Sequence, residues 1–175
     1  MLNYMRLRSG FAGLKQELKK VRRKKRTVSL NDAENIGILV PIKNEKELSE
    51  VMQFANTLEV IDKKVRLLGF LLDDSLRDKV DKNIHVISKE DIKWNYIPNT
   101  EKIREFINNE FDILIHLCTE LCFPLLYTAA MSKSVFKVAA YDNRRMPFFD
   151  LMIETNEESI TGFSRQIRYY LDKIK

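Results

Sequence analysis

Tyr4, Leu7, Phe11, Leu14, Leu18 and Val21 recur at alternating spacings of three and four, which puts them on one stripe of a helix with 3.6 residues per turn. The pattern predicts a helix over about residues 3–25, against the cost of Gly10 and Gly13, each about 1 kcal/mol relative to alanine in a helix interior. From residue 31 the pattern changes to short β-branched runs separated by helical stretches. Residues 36–40 (IGILV) form an apolar run of strand length. Pro41, which cannot donate to a ladder, predicts the end of a buried strand there. Asn44 is placed to cap a following helix, with Glu47 as its partner three residues on, and Leu48, Val51, Met52, Ala55 and Leu58 share one face of that helix. A second strand follows at 65–71 (VRLLGFL), then an acidic turn at Asp73 and Asp74, then a shorter strand at 84–87 (IHVI).

Residues 88–98 show no period, and Trp94 and Tyr96 are expected to anchor that loop to the core. Thr100, Ile103, Phe106 and Ile107 predict a helix capped by Asn99 or Thr100. The run 111–117 (FDILIHL) is a strand, and 121–131 a buried helix with Pro124 tolerated in its first turn. Strands at 135–140 and 149–153 flank a polar, basic loop at 141–147. An amphipathic helix over 156–174 carries Ile160, Phe163, Ile167, Tyr170 and Leu171. Strands apolar on both sides, alternating with helices, predict an α/β fold. The expected architecture is a mostly parallel, Rossmann-like sheet of about six strands in the order 3-2-1-4-5-6, with helices on both faces. Residues 1–30 then form a basic amphipathic helical arm and 31–175 the Rossmann-like domain. Ligands of such sheets bind beyond the carboxyl ends of the strands where the strand order reverses. Here that means residues 41–44 and 118–123, with 141–145 contributing from the side.

Charge sharpens this division. The 175 residues, 45% hydrophobic and 31% charged, suit a single domain with a sizeable core. The formal net charge of +5 hides an asymmetry: residues 1–26 hold ten basic groups and one acid, for +9, and the rest hold 20 and 24, for −4. Lys19, Lys20, Arg22, Arg23, Lys24, Lys25 and Arg26 are therefore the candidates for contact with an anionic surface. Three partners fit them. A basic amphipathic helix lies on anionic bilayers, docks on RNA or DNA phosphates, or packs its stripe on its own domain or a second subunit of a homo-oligomer. No run approaches the ~20 apolar residues of a membrane span, and no apolar block suits an export signal. Cys118 and Cys122 do not form a disulfide framework. The expected location is the cytoplasm, with peripheral membrane attachment or a mitochondrial presequence as alternatives raised by the basic amino terminus.

The turn after the first strand reads Pro41, Ile42, Lys43, Asn44, without glycine. A dinucleotide fingerprint is thereby excluded, and no phosphate-binding P-loop occurs, so no cofactor is predicted. Lys43 and Asn44 still stand where a helix amino terminus attracts anions, the alternative being a solvated lysine. His116, Cys118 and Cys122 lie close together, but the other histidine, His85, is on a different strand and no metal site is predicted. The same residues could pair nucleophile with base, or serve as buried structural groups. Glu120 joins the ligand candidates on the same loop. Arg144 and Arg145 offer a fork for phosphate or carboxylate. Asp73 and Asp74 read as a solvated turn capping the next helix.

Residues 111–142, FDILIHL with PLLYTAAMSKSVFKVAAYD after it, resemble part of the first domain of heptosyltransferase-like glycosyltransferases of the two-Rossmann-domain type. There a hydrophobic strand leads through a small-residue helix and a short strand into a basic loop. The whole chain looks similar to an uncharacterised family of small bacterial Rossmann-like proteins with a basic amino-terminal helix. The first resemblance covers 32 of 175 residues and implies fold more than activity. Those enzymes hold the nucleotide sugar mainly through a second domain, which this sequence is expected to lack. Two functions follow as expectations. The first is a non-enzymatic binding or scaffold module working through its basic helix. The second is a small glycosyltransferase-related enzyme, or a degenerate nucleotide-sugar-binding domain, using Lys43, His116, Glu120 and Arg144.

Overall fold

The computed structural model describes residues 2–81 and 84–174. Six strands, β1 (Asn35–Ile42), β2 (Lys64–Leu71), β3 (His85–Ile87), β4 (Ile113–His116), β5 (Phe136–Ala140) and β6 (Leu151–Ile153), form one sheet in the order β3-β2-β1-β4-β5-β6. Every neighbouring pair is parallel. The class and the strand order are those the alternation predicted. β1 runs two residues past its expected end, through Pro41 to Ile42. The reason lies in the ladder: Ile42 O accepts from Leu72 N at 2.9 Å on the β2 side, so Pro41 turns its missing donor toward β4. There pairing has already ended at Leu39 with His116. From this point β1 and β4 diverge, which opens the crevice of a doubly wound sheet.

Helices cover both faces. On one, α2 (Glu45–Glu59) and α5 (Ile160–Lys173) pack against Ile36, Ile38, Val40 and Ile42, burying Val51, Leu58, Phe163, Ile167 and Leu171. On the other, α3 (Glu101–Asn108) and α4 (Phe123–Met131) lie over Leu39, Leu68 and Leu114, with Phe106, Leu125 and Ala129 buried. α2 starts as predicted: Asn44 Oδ1 accepts from Glu47 N at 2.9 Å. The Glu47 carboxylate reaches back to Lys43 N at 2.7 Å. α5 begins four residues later than the periodicity suggested, because Ser159 Oγ caps it through Gly162 N at 3.0 Å. Met52 and Tyr170 are exposed at the edges of their helices, outside the core the stripes assigned them to.

The amino-terminal helix is shorter than its pattern. α1 (Leu2–Leu18) stops seven residues before the predicted end. The five consecutive cations at 22–26 repel one another on a helix, and residues 21–29 instead take an irregular course across the amino-terminal edge of the sheet. Arg26 N reaches Val135 O and Leu30 N reaches Leu171 O, both at 3.4 Å, and Val28 and Leu30 are buried. The apolar stripe of α1 packs on its own chain: Leu14 is fully buried with Phe123 and Ala130, and Phe11 meets Phe123 edge-on at 4.9 Å. Tyr4, by contrast, is 69% exposed. Gly10 and Gly13 mark close approach: a Cβ on Gly10 would stand 2.5 Å from Asn95 O and 2.8 Å from the Phe123 ring, and one on Gly13 2.9 Å from Ile97 Cδ1.

Candidate functional site

Where β1 and β4 part, the strand ends and the loops after them enclose a cavity of about 660 Å³. Its floor is Pro41, Phe70 and Leu117. One wall is Leu121 of the loop before α4 with Phe123 of its first turn, and another the start of α5, with Ile160 and Phe163. The roof comes from α1 through Asn3, Arg6 and Leu7, and from the 89–96 loop through Ile92, Trp94 and Tyr96. Roof and loop are fastened together. Arg6 Nε donates to Trp94 O, its guanidinium lies 4.3 Å from the centre of the Tyr96 ring, and Tyr96 Oη donates to Asn3 Oδ1 at 3.3 Å. Tyr96 holds a left-handed backbone, φ 64°, in the turn closed by Tyr96 N to Lys93 O at 2.9 Å. Trp94, expected to anchor the loop in the core, is instead 65% exposed at the rim, because α1 rather than the sheet supports this loop.

Lys43 and Glu120, both on the rim, face each other at 3.4 Å across the β1–β4 crevice. Asn44 points away, its side chain spent on the α2 cap beside a shallower depression. His116, Cys118 and Arg145 lie below the cavity in the packed interior. The imidazole meets Phe149 at 5.2 Å in a tilted arrangement, neither ring nitrogen has a hydrogen-bond partner among the described residues, and burial, helped by the Arg145 charge, pushes its pKa down to about 3. Burial also raises both thiols, Cys122 to about 11 and Cys118 well above its ordinary value. The two arginines are not an exposed pair. Arg144 forks onto Asp142, Nη2 to Oδ2 at 2.7 Å and Nε to Oδ1 at 3.0 Å, and these bonds bring the Asp142 pKa to about 2. Arg145 is fully buried and clamps the loop after β4, donating to Cys118 O and to Thr119 O. Among the described residues no three His, Cys, Asp or Glu side chains gather as a metal site would require.

The basic segment lies at the opposite end of the sheet. Lys19, Lys20, Arg22, Lys24, Lys25 and Arg26 are exposed. Arg23 is not: its side chain is 8% exposed and closes on the Asp150 carboxylate, which Lys25 approaches at 3.9 Å. Asp150 also accepts from Lys137 N at 2.9 Å. The Lys137 ammonium is buried, donates to Ala130 O at 3.1 Å, and has its pKa lowered to about 7 by burial, then by Arg23, with Lys25 adding and Asp150 opposing.

A family model matches residues 7–174, nearly the whole of this α/β unit. The chain belongs to DUF6913, a family of unknown function. No curated protein matches it. Among solved structures, a glycosyl transferase family 9 protein from Veillonella parvula DSM 2008 aligns over 79% of this chain and 41% of its own, at 14% identity and a TM-score of 0.46. The chain thus spans under half of that protein's length, and a likeness at this score assigns no substrate. No helix among the described residues is long and apolar enough to cross a membrane.

In this DUF6913 chain, two of the six sequence-derived ligand candidates, Lys43 and Glu120, reach the cavity, while Asn44, His116, Arg144 and Arg145 do not line it. Sequence reasoning missed Phe70, Leu117 and Phe163. The signal for Phe70 and Leu117 was available, since both follow from the strand order and the side-chain alternation at the strand ends, whereas Phe163 stands in the first turn of α5. Arg6, Leu7 and Tyr96 carried no such signal, because their place depends on where α1 docks.

Proposed function

We propose that the chain is a binding module that holds the phosphate backbone of a nucleic acid on its basic segment, residues 19–26. The observation that carries this reading is the exposure of six cations along one irregular, tethered segment, with Arg23 turned inward as its anchor. Spread along such a segment, the side chains can meet successive phosphates and release their counterions. Nucleic acid is favoured over a bilayer surface because the stripe of α1 is engaged with α4 and is not free to enter the interface. A binding role is favoured over catalysis because burial holds the Cys118 and Cys122 thiols protonated and His116 is packed in the interior against Phe149.

Fluorescence anisotropy with a labelled 20-nucleotide RNA tests the proposal. Six contacts would give a slope of about −4 in log K against log salt, at ~0.7 per contact on a single strand. The exposed triple substitution Lys24→Ala, Lys25→Ala, Arg26→Ala should halve it, leaving the Arg23 anchor and the fold intact. Absence of RNA binding, or binding insensitive to salt and to these substitutions, would overturn the reading. Salt-sensitive association with phosphatidylserine vesicles in place of RNA would also overturn it, in favour of a membrane surface.

A further inference from the structure

The cavity at the other end of the sheet carries an inference independent of the basic segment. Its volume, about 660 Å³, falls in the range of small-ligand sites, and it sits where open α/β sheets bind their ligands. Much of the lining is apolar, and several of its residues are aromatic: Phe70, Tyr96, Phe123 and Phe163, with Trp94 at the rim. Most of the charged groups on its lining are already occupied. Lys43 is paired with Glu120, Glu47 caps α2, and Arg6 is held by Trp94 O and the Tyr96 ring. What is left on the rim is Lys89 and Lys93 on the roof loop, both exposed, and Glu158 at the start of α5. The four rim cations thus exceed the three carboxylates by one.

The roof is built rather than incidental. α1 reaches the cavity because Gly10 and Gly13 admit the 95–97 loop against its backbone. Tyr96 is kept in a left-handed conformation that costs a non-glycine residue roughly 1 kcal/mol or more. That backbone carries the Tyr96 ring under Arg6 and against the cavity.

We propose that this cavity binds an amphipathic monoanion, an acyl or aryl chain ending in a carboxylate, with the apolar body between Phe70, Phe123 and Phe163 and the carboxylate at Lys89 and Lys93. The class follows from the match of an apolar interior to one surplus positive charge at the mouth. A neutral apolar molecule would leave the two lysines unused, and a cationic one would face them.

Trp94 is the single tryptophan of the chain and stands on the rim, so its emission reports occupancy directly. The full-length protein is titrated with decanoate, 1-decanol and decylammonium below their aggregation concentrations. The expected result is a saturable, one-to-one change in Trp94 emission, with decanoate at least fivefold tighter than decanol and decylammonium weakest. Lys89→Ala with Lys93→Ala should remove the preference for decanoate and leave decanol binding unchanged. Leu72→Arg, at an exposed position on the cavity lining, should weaken decanol and decylammonium at least tenfold. Thermal unfolding without ligand confirms that each variant is folded. No saturable change with any probe, equal affinity for decanoate and decanol, or a decanoate response indifferent to these substitutions would overturn the proposal. None of these outcomes bears on RNA binding at residues 19–26.

Discussion

The Arg23 guanidinium closes on the Asp150 carboxylate, and this one contact ties the basic segment to the loop that enters β6. The pair is largely shielded from water, and the same carboxylate holds Lys137 N. Removing one partner leaves the other charge poorly solvated. Asp150→Asn should therefore cost about 2–3 kcal/mol in urea unfolding. Lys24→Met, one residue from Arg23 but exposed, should stay within about 0.5 kcal/mol of the parent.

Gly10→Ala sets local propensity against packing. In an isolated peptide of residues 2–18 the substitution should raise helicity, since alanine is favoured by about 1 kcal/mol. In the folded protein the new methyl meets Asn95 O and the Phe123 ring. Chemical denaturation should show a loss of about 1–3 kcal/mol. Circular dichroism of the peptide and of the protein reads the two opposite signs.

Lys137 gives alkaline stabilisation. In the unfolded chain it keeps its proton to about pH 10.4, whereas in the fold it releases it near pH 7. Between these values the unfolded state binds more protons, so stability rises with pH, by at most about 1.4 kcal/mol per unit. Unfolding free energies at pH 6.5, 8 and 9.5 should show wild type gaining on Lys137→Met across the series.

His116 works at the acid end. Its pKa of about 3 lies below the ordinary 6.5, so the unfolded chain takes up a proton first and stability falls as the pH drops from 6.5 toward 3. His116→Leu removes that uptake along with two unpartnered ring nitrogens. Its stability relative to wild type should increase steadily between pH 7 and pH 4, as read by denaturant midpoints.

Cys122 should alkylate slowly. With its pKa raised to about 11 by burial, the thiolate is scarce at pH 8. Iodoacetamide labelling, followed by mass spectrometry, should run roughly a hundredfold slower in the native protein than in urea.

The strand order was legible in the sequence because each element declares itself locally. Runs such as 36–40 and 113–116 are apolar on both faces, the Asn44 and Glu47 cap is a spacing of three, and right-handed crossovers leave few orders for six parallel strands. The rim position of Lys43 and Glu120 followed from the same rule, since both stand just beyond strand ends flanking the reversal. What lies between 1 and 30 was only half legible. The stripe of α1 is a local pattern and gave the helix. The inward turn of Arg23 and the use of Gly10 as a contact are set by partners more than 80 residues away, at Asn95 and Asp150. The same holds for Arg145, whose charge is buried because two carbonyls after β4 need a donor. Periodicity is a property of neighbours along the chain, whereas burial of a charge and the closing of a cavity depend on surfaces that meet only when distant segments pack. The sequence therefore determined the sheet and where a ligand could approach it, and the tertiary structure alone decided which side chains were free to meet one.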